Sequence, residues 1–256
     1  MSTAAETDAR AALRARQGPG ARYDAPAAPA DDLALARRGT AYFARVLNDL
    51  PDAAFTAPSL VSGWSRAQVI AHVGYQARDL AGLVAAVRAG TEDAAAADLS
   101  QAARIDLAAS LPPRALRNLF RHAAVHLDVE WRDLADAGWD AAARDTDGAP
   151  LPVRSTPWIR ARTVWLSAID LDAGGAFADL PPAMLDRLLA ELAPRAGGTV
   201  SLVATDRPAA PARSGPVVSG RTADLVRWLA GRGARRLSGA PSLVPGPGRG
   251  SRMRPH

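Results

Sequence analysis

Residues 65–68 constrain this chain more than any other four positions. In Ser65-Arg66-Ala67-Gln68 the serine hydroxyl can accept from the Gln68 amide while the Gln68 side chain reaches back to the Ser65 amide. A helix therefore has to begin there. Trp64 and Val69 have the spacing of a hydrophobic staple around that cap. Val69, Val73, Leu80, Leu83, Val84 and Val87 then recur at helical period up to Gly90, and His72 falls inside the apolar stripe. A histidine so placed is either a core residue with satisfied nitrogens or a ligand aimed into a cavity.

Three other stretches share this period. Asp31 to Leu50 puts Leu33, Ala36, Phe43, Val46 and Leu47 on one face, and Pro51 follows. Pro113 to Ala137 does the same with Leu116, Phe120, Ala123, Leu127, Trp131 and Leu134. In the last, Thr156 is placed as an N-cap with Pro157 behind it, and the helix runs to Gly174-Gly175. Residues 91–114 carry no firm pattern, and ARDTDGAPLPVRST after Trp139 reads as a polar loop. The expected fold is mainly α: an antiparallel four-helix bundle over residues 31–175, then a small α+β domain over 176–237. In the second domain Thr199–Ala204 and Pro216–Gly220 read as strands, and Leu180–Ala193 and Thr222–Leu229 as helices. Residues 1–30 and 238–256 are small, polar and broken by Pro and Gly, which predicts a disordered leader and a flexible tail.

Composition narrows the chemistry. The 256 residues include no cysteine, so disulfides, thiolate zinc sites and a protein thiol nucleophile are all excluded. Any thiol chemistry must import its thiol. The formal charge of +5 suits acidic small molecules, but without interleaved aromatics or a binding motif no nucleic-acid partner is expected. No apolar run is long enough to span a bilayer and no signal-peptide pattern opens the chain, so a cytoplasmic location and no membrane partner are expected. No GxSxG, P-loop, dinucleotide fingerprint or HExxH occurs.

Candidate site residues form three groups. His122, His126 and Glu130 lie four apart on one helix flank, close enough for the histidines to share a cation, although partly exposed polar residues are the ordinary occupants of such a flank. Arg162, Thr163, Ser167 and Asp170 share the last bundle helix, where hydroxyls commonly bond back to carbonyls. Arg232, in WLAGRG, suits a carboxylate or simply the end of a helix dipole.

The segments SLVSGWSRAQVIAHV, RARTVWLSAIDLDAG with FADLPPAML, LVATD and VVSGRTADLVRWLAGRG together resemble the mycothiol-dependent maleylpyruvate isomerase family over roughly residues 30–237. The resemblance implies a bundle of the DNA-damage-inducible type that holds one divalent metal, usually zinc. It implies a ligand at His72 and a Glu and a His at positions 163 and 167. This chain has Thr163 and Ser167 there. The site is therefore expected to have lost its metal, or to have moved it to His122 and His126. The resemblance further implies addition of a low-molecular-weight thiol, mycothiol-like, to a cis-unsaturated keto acid, with Arg232 binding a substrate carboxylate and His72 as the catalytic base. The expected activity is thiol-dependent isomerisation or thiol transfer on a small carboxylate. The alternatives are a non-catalytic ligand-binding relative and a metal-free enzyme recruited to another biosynthetic reaction.

Overall fold

A computed structural model describes residues 23–91, 100–145, 148–197, 200–208 and 215–241. Most of the expected leader and tail lies outside these. The chain divides at Ala173/Gly174 into two compact units.

The first unit is built on α1 (Ala30–Asp49), α2 (Arg66–Ala89), α4 (Pro113–Asp133) and α6 (Thr156–Asp170). Its most extensive packing joins α2 to α4 and α1 to α6, and α2 also packs on α6. Cross-helix contacts give the directions. Arg66 at the start of α2 donates to the Leu171 carbonyl beyond the end of α6, and Gln76 further along α2 donates to Ile159 near its start. These two helices are antiparallel. On α1, Arg37 meets Asp128 and Phe43 meets Phe120, so α1 and α4 are antiparallel too. Between α2 and α4 the order is reversed: Gly74 lies against Leu119 and Arg88 meets Glu130. The four helices thus run up, down, down, up. Two successive helices can point the same way only if the chain crosses back between them. Before Pro113 the described residues form α3 (Gln101–Ala109), whose Ser100 hydroxyl accepts from Ala103.

The helix starting at Pro113 ends at Asp133 rather than Ala137. Leu134 turns extended, and the short α5 (Asp136–Trp139) carries Trp139 fully into the core. The polar loop that follows contains a hairpin of β1 (Ala142–Arg144) and β2 (Pro150–Pro152), antiparallel, with positive φ at Gly148. Prolines at both ends of β2 hid it from a pattern search.

The second unit contains α7 (Pro182–Leu192), β3 (Ser201–Ala204), β4 (Val217–Gly220) and α8 (Thr222–Leu229). The strands pair in parallel, Ser201 opposite Val217. Asp206, just past β3, accepts from the backbone and hydroxyl of Thr222 at 2.8 and 2.7 Å and so caps α8 from a distance.

Close approach of α1 to α6 depends on Gly39. A Cβ there would sit 2.6 Å from Trp165 and Val164 side-chain atoms, and Trp165 is further held by donating to the Leu35 carbonyl. Gly39→Ala should therefore lose about 1–3 kcal/mol to overpacking despite its better helix propensity. Urea unfolding checks this, since a variant as stable as the parent would mean the two helices can separate without cost.

Candidate functional site

The capping box forms as expected. Ser65 Oγ accepts from the Gln68 amide at 3.3 Å, and the Ser65 amide donates to Gln68 Oε1 at 2.7 Å. Nearly two turns into the helix, His72 meets Trp64 edge-on with ring centroids 5.6 Å apart. The imidazole is half-buried, and its Nδ1 is enclosed without a hydrogen-bond partner. Burial, reinforced by the nearby Arg160 guanidinium, lowers its pKa to about 4. His72 is therefore neutral at pH 7.

Arg160 on α6 dominates the interior opposite. It is 1% exposed. Its Nη1 donates across to α2, to the Val73 carbonyl at 2.7 Å and to Gln76 Oε1 at 2.9 Å. Its Nη2 is buried with no partner, and among the described residues no carboxylate pairs with it. Burial lowers its pKa to about 9, so it keeps its charge at neutral pH. Gln76 completes the link by donating through Nε2 to Thr163 Oγ1 at 3.1 Å.

These contacts bring the expected residues level with one another. With residue 66 beside 171 and residue 76 beside 159–163, the antiparallel register sets His72 at the height of the 163–167 turn. Ser167 is buried and Thr163 half-buried. Asp170 is buried near the end of the same helix, where its carbonyl accepts from Leu60.

His122 and His126 lie elsewhere. Both are exposed on α4. His126 Nε2 sits 3.4 Å from Glu130, and Arg88 meets the same carboxylate at 3.0 and 3.3 Å. Glu130 thus joins α2 to α4 through an ion pair. Arg232 belongs to the second unit, where its Nη1 donates to the Ala230 carbonyl at 2.5 Å. A cavity of about 410 Å³ lined by Leu83, Val87, Ala142 and Pro150 lies toward the C-terminal end of α2. It contains neither a histidine nor an acid.

A family profile described as the mycothiol maleylpyruvate isomerase N-terminal domain matches residues 36–172. The chain belongs to the mycothiol maleylpyruvate isomerase family. A solved mycothiol-dependent maleylpyruvate isomerase is 36% identical and superposes with a TM-score of 0.74, over 84% of this chain and 95% of that one. A histidine-to-alanine mutant described under the same name is 34% identical, with a TM-score of 0.75 and the same coverage. No curated protein matches the chain.

The metal implied by the family does not fit these residues. At the implied positions the donors are one neutral imidazole and two hydroxyls, whereas a catalytic zinc takes about three nitrogen, carboxylate or thiolate ligands. Thr163 Oγ1 already accepts a bond from Gln76, and an uncompensated guanidinium lies alongside. Among the described residues no three His, Cys, Asp or Glu side chains are grouped for a metal.

Sequence reading missed Arg160 and Gln76. The signal was present for Arg160: it interrupts a helix whose neighbours Trp158, Ile159, Ala161 and Val164 are all buried. A charge on such a face has to meet something inside.

The pKa of His72 sets a pH dependence. The unfolded chain takes up this proton near 6.5 and the folded chain only near 4. Between those values the unfolded state binds more protons, so stability falls as pH drops from about 6.5 to about 4 and is unaffected by this group above that window. The loss is at most about 3 kcal/mol. His72→Gln should flatten this part of the acid limb in chemical denaturation measured across pH; parallel wild-type and variant curves would show that His72 titrates normally.

Proposed function

We propose that the protein is a thiol-dependent enzyme acting on a small unsaturated keto acid, by cis–trans isomerisation or thiol transfer. The observation that carries this reading is the 36% identity, over nearly the whole length of the relative, to a mycothiol-dependent maleylpyruvate isomerase. With no cysteine in the chain, the nucleophile must be an external thiol, and the family points to mycothiol.

In such a reaction the thiolate adds to the alkene carbon β to the ketone, and the electron pair moves through the α carbon onto the carbonyl oxygen as an enolate. The former double bond is now single and rotates. Collapse of the enolate expels the thiolate and leaves the trans alkene, so the thiol is regenerated. The protein has to favour two anions in turn, the thiolate and the enolate. His72 is a weak base at a pKa of about 4, far below an ordinary thiol. Its place in the reading is therefore as a hydrogen-bond partner at Nδ1 rather than as the group that removes the thiol proton. The resemblance assigns Arg232 to the substrate carboxylate, and a guanidinium suits that task through its paired donors.

Replacement of the family's Glu and His by Thr163 and Ser167 favours a second reading, a metal-free relative recruited to a different reaction or to ligand binding alone. Purified protein incubated with maleylpyruvate, with and without mycothiol, separates the two. The leading reading expects isomerisation that needs the thiol, survives chelator, and falls about tenfold or more in Arg232→Met. Absence of turnover with thiol present would remove it and leave the second reading.

A further inference from the structure

Arg160 poses a question the family resemblance does not answer. A buried guanidinium without a counter-charge is costly, and proteins normally pair such a group or leave it in water. Here Nη1 is satisfied by a backbone carbonyl and an amide oxygen, both neutral, while Nη2 has nothing. The buried acids described in the first unit are placed elsewhere. Glu130 is held by Arg88, and Asp170 lies ten residues further along α6, about 15 Å away by helical rise. Position 163, one turn from Arg160, is where the family resemblance implies a glutamate. An acid at that spacing on a helix faces its basic neighbour. In this chain threonine stands there, so no acid is supplied one turn from Arg160.

We propose that the interior between α2 and α6, at the level where the resemblance implies a metal cation, is in this chain a site for a small carboxylate, held by Arg160 Nη2 with His72 Nδ1 as a second contact. This rests on the family reading for the position of the site but not on the reaction. Two buried polar nitrogens lacking partners, from facing helices, are what an anion with two oxygens would satisfy. The single uncompensated charge suits a monoanion. Gln76 holds the guanidinium in place by accepting from Nη1, so it is a positioning residue.

The test is calorimetric titration of the full chain with pyruvate, a minimal keto monocarboxylate, against methyl pyruvate as its uncharged counterpart, with no thiol added. Saturable binding of pyruvate but not of the ester is expected. Arg160→Met should weaken binding about tenfold or more. Thr163→Glu supplies an internal carboxylate without touching Arg160 and should abolish binding, whereas Thr163→Gln, of similar size and uncharged, should keep it. Equal binding of pyruvate to Thr163→Glu and to the parent would overturn the proposal, as would failure of the parent to bind pyruvate at all. Loss of isomerase turnover with pyruvate binding intact would strike at the proposed reaction and leave this site standing.

Discussion

The guanidinium of Arg160 is the point on which the site depends. It spans from α6 to the Val73 carbonyl and the Gln76 side chain of α2, and so fixes how two antiparallel helices face each other through buried polar bonds. The charge also governs its surroundings. It helps hold His72 neutral, and it makes the space beside Thr163 unfavourable for a second cation. Desolvated charges act over such distances because little solvent intervenes to screen them.

The long elements were legible in the sequence for ordinary reasons. The capping box at Ser65 and the apolar periods around Phe43, Leu116 and Val164 each report a local preference that tertiary packing then reinforces. What escaped was set by contacts distant in sequence. The common direction of α2 and α4 shows only in their contacts, Gly74 with Leu119 and Arg88 with Glu130. The hairpin of Ala142–Arg144 with Pro150–Pro152 is held by pairing rather than by strand-forming residues, and the break at Leu134 serves the burial of Trp139.

The site was legible by position rather than by chemistry. His72 could be placed on a capped helix, but whether its nitrogens were satisfied depended on what α6 presents to it. Thr163 and Ser167 were identifiable as departures from a family pattern; that Thr163 receives a bond from Gln76 was not. Arg160 carried the clearest signal, a charge within a buried stripe, and its weight appears only once no acid is found beside it among the described residues. Membership of the family and the fate of its metal are thus separate matters. The first rests on the whole bundle and the domain after it, the second on two side chains.

A change at position 163 alters both the donor set and the sign of the local charge, so zinc affinity tests the account at its root. The direct measurement is the zinc content of the purified full-length protein after equilibration with excess zinc and removal of loosely held ions, compared with His72→Ala. The account predicts far less than one zinc per chain and no difference between the two proteins. Stoichiometric zinc in the parent, lost in His72→Ala, would contradict it.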